Sequence, residues 1–143
     1  MNKQEGSYEK ELSVSRIGTD FEQFTPGYAV LSVSLEFLRD GSEQVLSLQR
    51  EFGEQAEAPG EICIVFSPSQ QCAYDPLTKL VLDRNSLGMR FTETAAQTFG
   101  MASLQFAFSA TDEIFDKFRD SLASLCEGES FFVYEGIAAK PRS

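Results

Sequence analysis

Histidine is absent from this sequence of 143 residues. That removes the commonest general base near neutral pH and the commonest metal ligand. Nucleophile pairs of the Ser-His and Cys-His kinds are excluded outright, as are zinc sites built on imidazole. Tryptophan is absent too. Cysteine occurs three times, too sparse and odd a number for a disulfide scaffold. No apolar run reaches transmembrane length, and the first residues are polar and charged, unlike a secretion signal. The expected setting is the cytoplasm, with reduced thiols. There is no Gly-rich phosphate loop and no alternating Asp/Asn calcium loop. Lys and Arg are dispersed without a stripe, so neither nucleic acid nor membrane is an expected partner. Carboxylates are numerous, yet no spacing forces two of them across a cleft as an acid–base pair. No catalytic residue, cofactor or metal ligand emerges, and a non-enzymatic protein is expected.

Against these absences stand 13 Phe and a formal net charge of −10. Phenylalanine fills a core with no polar atom to satisfy. An acidic surface repels nucleic acid and attracts basic partners. The length suits one domain over residues 1–143, with loose tails at 1–7 and 136–143. Roughly two thirds of the unfolded surface can be buried at that size, so a core needs no staples.

Along the chain, a weak alternation through Leu12 and Val14 predicts a first strand over Tyr8 to Ile17. Gly18 to Gly27 reads as a connection whose Phe21 and Phe24 either tuck under the sheet or form a surface patch. The clearest hairpin follows. Ala29, Leu31, Val33, Leu35 and Phe37 alternate with polar or smaller residues, and Asp40-Gly41 is the type I′ turn signal. With those two as the loop, Leu35 faces Leu46, Val33 faces Leu48, Ser34 faces Ser47 and Ser32 faces Gln49. A one-residue slip would destroy the match between faces. Phe52 to Gly60 is a polar loop, the expected mobile segment of the interior. Ile62-Cys63-Ile64-Val65-Phe66 reads as a central strand buried on both faces. Ser67 to Gln70 turns it, and a tight closure sets Cys63 opposite Cys72, where two reduced thiols or a cross-strand disulfide would fit.

The stretch from Tyr74 to Cys126 organises the rest. Asp75-Pro76 breaks the strand. A loop at Asn85-Ser86 pairs Leu82 with Met89 and Leu80 with Phe91, leaving Val81 and Arg90 on the other face. Thr92 caps a helix of about two turns held by Ala95, Ala96 and Phe99, and Gly100 stops it. Leu104 to Phe108 alternates as a strand packed on one side. Thr111, or alternatively Ser109, caps a longer helix, with Asp112 and Glu113 in the first turn where the dipole favours them. Its apolar set, Ile114, Phe115, Phe118, Leu122, Leu125 and Cys126, falls within an arc of roughly 120°. Glu127-Gly128 ends it, and Phe131 to Tyr134 forms a last short strand. Hairpins throughout and two helices in the C-terminal half make an α+β domain with a mainly antiparallel sheet.

Asp112, Asp116 and Asp120 stand four apart on the exposed side of that last helix, with Glu113 beside them. Like charges at this spacing cost the helix a few tenths of a kcal/mol per pair, partly offset by Arg119 and Lys117. The face is either simply solvated or an anionic ridge that docks a cationic partner.

Tyr74, then Leu80 to Leu87, then Thr92-Glu93-Thr94-Ala95-Ala96, then the strand Leu104 to Phe108 and the helix Asp112 to Leu125 together resemble an immunity protein of bacterial polymorphic toxin systems. The group is the one numbered ten in that classification. The likeness covers roughly the last half of the chain and consists of structural patterns, with no catalytic signature. It implies a cytosolic inhibitor that binds a cognate toxin domain non-covalently, and the acidic balance suits a basic toxin. Two other readings of the residues stay open. One is a small-molecule-binding or regulatory module with a Phe-lined pocket between sheet and helices, helped by a local Arg such as Arg84 or Arg90. The other is an enzyme. A homodimer through an exposed sheet edge is compatible with each.

Overall fold

The computed structural model describes residues 11–25, 28–53 and 60–135, the side chains of 24, 25 and 53 excepted. Among the described residues nine strands and two helices follow one another as β1 (Glu11–Thr25), β2 (Tyr28–Arg39), β3 (Ser42–Gly53), β4 (Ile62–Ser67), β5 (Cys72–Tyr74), β6 (Leu77–Leu82), β7 (Ser86–Phe91), α1 (Glu93–Phe99), β8 (Ser103–Ala107), α2 (Asp112–Leu125) and β9 (Phe132–Tyr134). The strands form one sheet in the order β5-β4-β3-β2-β1-β8-β7-β6-β9. Its pairings are antiparallel except β1 with β8 and β6 with β9. The fold is therefore α+β and mainly antiparallel, with both helices in the C-terminal half. The expected tails at 1–7 and 136–143 lie outside the described residues, as do 54–59 of the expected mobile loop.

The β2–β3 hairpin has the register that its alternation and turn dictate. Leu35 faces Leu46, Val33 faces Leu48, Ser34 faces Ser47 and Ser32 faces Gln49. Asp40 and Gly41 both take positive φ, at 52° and 79°, as a type I′ turn requires. Leu31, Val33, Leu35 and Phe37 are buried together with Leu46, Leu48, Ile62, Ile64 and Phe66. That set is the inner face of the sheet. On the far half of the sheet Leu80, Leu82, Leu87, Met89, Leu104 and Phe106 continue it. The sheet curls around this core. Phe99 of α1 meets Phe66 of β4 at 4.8 Å between ring centroids and Phe91 of β7 at 5.1 Å, although four strands separate those two in the sheet.

Several sequence expectations are corrected. The first strand does not end at Ile17 but runs on through Gly18 to Thr25. Gly18 continues it because it faces Ser34, whose hydroxyl would lie 2.8 Å from a Cβ placed there. Residues 8–10 of the expected strand lie outside the described residues. Phe52 and Gly53 belong to β3 and not to a loop. β4 is buried on one face alone, since Cys63 and Val65 look outward and are only half-buried. The turn after it does take the four expected residues, Ser67 to Gln70, with the Phe66 amide donating to the Gln71 carbonyl, but a four-residue loop sets a different register. Cys63 therefore faces Tyr74 while Cys72 faces Val65, so the two thiols are diagonal and not opposite, and both are free. In the next hairpin Asp83 donates to the Ser86 carbonyl, making Arg84-Asn85 the loop. Leu82 thus pairs with Leu87 and Leu80 with Met89, two residues away from the expected register but with the same residues facing inward. Asn85 does not use positive φ, so the turn signal that its residue type offered was not the one that set the loop.

Both helix caps match expectation. The amide of Ala95 donates to the Thr92 hydroxyl and that of Ile114 to the Thr111 hydroxyl. Gly100 stops α1 in the left-handed region, where no Cβ is tolerated without strain. α2 ends earlier than expected, at Leu125, with Cys126 as its cap and Gly128 left-handed in the turn that follows. The helix lies across β1 and β2, and Phe115, Phe118, Leu122 and Leu125 are buried beneath it. Ile114, expected in the buried arc, is instead 48% exposed. It sits at the margin of the arc, on the flank that carries Lys117 and Ser121, where the sheet leaves the helix uncovered.

The C-terminal end of α2 is held by Arg50 of β3, which is 5% exposed. Its Nη1 donates to the carbonyls of Leu125 at 2.8 Å and Glu127 at 3.1 Å. Its Nε donates to Gly60 at 2.7 Å, and its Nη2 meets the Glu129 carboxylate at 2.8 Å. The guanidinium thus supplies donors where the last helical carbonyls have none of their own and places a cation at the negative end of the dipole. Beside it, burial pushes the Cys126 thiol up to about 12, with Arg50 opposing and Glu129 adding to the rise. The folded state holds this proton longer than the unfolded chain, whose thiol titrates near 9.0. Stability is therefore expected to fall as pH rises from about 9 toward about 12. Urea denaturation across that range should show a shallower fall in Cys126→Ala than in the parent chain. Equal slopes would place the thiol in water.

Candidate functional site

The helix that carries the sequence-predicted residues does bring them to one surface. Asp112, Glu113, Asp116 and Asp120 are all exposed along α2, opposite its buried stripe. The structure adds two arginines that temper the ridge. Arg84, from the β6–β7 turn, reaches Asp112 at 2.8 Å and the carbonyl of Ala110 at 2.9 Å while lying 4.5 Å over the Phe115 ring. Arg119 bridges Asp116 at 3.3 Å and Asp120 at 3.1 Å. Partial burial works against the Arg119 charge, but hydrogen bonds to Asp120 and Tyr134 and the fields of Asp120 and Asp116 outweigh it and hold the cation above its ordinary value. Each of these pairs has a largely exposed carboxylate, so each contributes little to stability. The ridge is thus a row of fixed, alternating charges and not a bare anionic stripe. Arg119 was legible as its neighbour. Arg84 was not, because it comes from a hairpin remote in sequence.

Next to the ridge lies a feature that the sequence showed only as an alternative. Phe21 is on the inner side of β1, opposite Leu31, yet is 61% exposed. Together with Leu31 and Phe52 it floors a groove of about 760 Å3 whose helical wall is Lys117, Asp120, Ser121, Ser124 and Glu127. Asp120 belongs to both ridge and groove. The groove exists because α2 covers only part of the inner face and its small Ser121 and Ser124 stand where a core helix would place bulk. Phe21 therefore follows the surface-patch reading, and the Phe24 side chain lies outside the described residues.

The other candidate arginine is elsewhere. Arg90 lines a polar cleft of about 380 Å3 on the outer face of the sheet, with Lys79, Asp83, Gln105 and Glu135. Among the described residues no group of three or more His, Cys, Asp or Glu side chains is placed to hold a metal ion. Among them also, no helix is long and apolar enough to cross a membrane. At the edge of the sheet, the Cys63 thiol is raised by burial and by neighbouring Cys72, with a hydrogen bond from Tyr74 lowering it. Comparison with family models, with curated proteins and with solved structures returns no match for this chain.

Proposed function

We propose that this chain is a non-enzymatic immunity protein that binds and neutralises a cognate bacterial toxin domain in the cytoplasm. The observation that carries the reading is the continuity of the α2 ridge with the Phe21–Leu31–Phe52 groove through Asp120. An apolar depression rimmed by charge is the anatomy of a protein interface, with the depression taking an anchor side chain and the rim steering approach. A net charge of −10 favours a basic toxin surface. The resemblance of the second half of the chain to the tenth group of immunity proteins is what points to a toxin domain as the partner.

Co-expression with the toxin-like reading frame beside its gene is expected to restore growth that the toxin alone abolishes. Asp116→Lys with Asp120→Lys is then expected to weaken the purified complex on the order of tenfold or more and to flatten its salt dependence. Unchanged affinity in the double variant would take the ridge out of the interface. The same groove also favours a second reading, a small apolar ligand seated between sheet and helix. That reading expects thermal stabilisation of the isolated chain by such a ligand, lost in Phe52→Asp, with no dependence on Asp116.

A further inference from the structure

β1 is paired with β2 from Val14 to Thr25, but its other edge is paired with β8 only from Glu11 to Ser13. Beyond Ser13, no strand among the described residues occupies that edge, because β8 ends at Ala107 and the chain leaves the sheet for α2. A long free edge is a template for strand addition. We propose that a second copy of this chain fills it, with the two β1 strands antiparallel about a two-fold axis at Thr19.

The sequence of the edge is self-complementary about that residue. The axis sets Arg16 of each copy opposite Glu22 of the other, Ile17 opposite Phe21, Gly18 opposite Asp20 and Thr19 opposite itself. Opposite charges therefore meet twice on the outer face, and no like charges face each other. On the inner face each half-buried Ile17 covers the other copy's Phe21, which is 61% exposed in the single chain. Arg16 is available for this. Its contact with Glu36 is 4.0 Å long and its side chain is 75% exposed. Neighbouring registers are worse. An axis at Asp20 opposes two aspartates, and one at Gly18 takes Phe21 away from Ile17. An axis perpendicular to the sheet makes the contact isologous and closed, and it keeps both inner faces on one side. Both α2 ridges would then face the same way. The proposal does not depend on the toxin reading.

Sedimentation of the full chain over a wide concentration range is expected to show a reversible dimer. Arg16→Glu and Glu22→Arg should each weaken association on the order of tenfold or more, because each creates two like-charge oppositions. The double variant Arg16→Glu/Glu22→Arg should restore it. Phe21→Ser should weaken it without charge change, and circular dichroism should show all four variants folded. In the dimer, those alternate amides among residues 17–21 that point away from β2 should exchange more slowly, and dilution should reverse this. A monomer at every concentration would overturn the proposal, and so would a dimer indifferent to both single charge reversals.

Discussion

Arg50→Ala is expected to cost about 3–5 kcal/mol of folding stability, the loss seen when one partner of a buried ionic network is removed. Arg50 is 5% exposed and donates to four acceptors on two segments of the chain, Gly60 and the stretch from the end of α2 to Glu129. Without it, the buried Leu125 carbonyl and the part-buried Glu127 carbonyl lose their donor, and an unsatisfied buried acceptor costs about 1–3 kcal/mol. Arg50→Lys should recover only part of the loss. An ammonium keeps the charge but lacks the planar fork that reaches several acceptors at once. Urea denaturation checks both variants, and the alanine variant should also lose amide protection in the last turn of α2 first. A cost under about 1 kcal/mol for Arg50→Ala would mean that water satisfies these groups and that the helix end is held otherwise.

Phe118→Ala is expected to cost about 3–5 kcal/mol as well, by a different route. The ring is fully buried beneath α2 and stands edge-on to Phe108 at 5.5 Å between centroids. Its removal leaves a cavity between helix and sheet that neighbours on a rigid sheet cannot close. Phe118→Leu, which keeps most of the volume, should cost less than about 1.5 kcal/mol. Ile114→Ala is the internal comparison. That side chain is one turn earlier on the same helix but half-exposed, and its truncation should change stability by only about 0.5 kcal/mol. If Ile114 and Phe118 gave equal losses, α2 would have to lie on the sheet with a different face than the one described.

Thirteen phenylalanines also set the character of this core. Phe37 against Phe106 is an edge-on contact across β1, and Phe99 against both Phe66 and Phe91 ties β4 to β7, which are remote in the sheet. Their number was legible in composition, but their pairing was not.

What the sequence determined by itself is local. The β2–β3 register follows from period-two alternation meeting an Asp-Gly turn, since a shift by one residue would turn Leu35 and Leu46 to solvent. Both helices follow from their Thr caps, from a left-handed glycine after α1 and from the apolar stripe of α2. Where turn chemistry was less specific, as at Ser67 to Gln70 and at Arg84-Asn85, registers were off by two residues, and only in the second hairpin were the inward faces read correctly. Alternation constrains parity and not loop length, so a two-residue shift leaves every side chain on its own face. The tertiary structure alone decided the parallel junction of β1 with β8, the curl that brings β4 and β7 to α1, the Arg50 clip, the pairing of Arg84 with Asp112 and the groove around Phe21. Each joins residues far apart in the chain through contacts that carry no period. Their energy comes from burial and charge geometry, which exist only once the sheet has closed around its core.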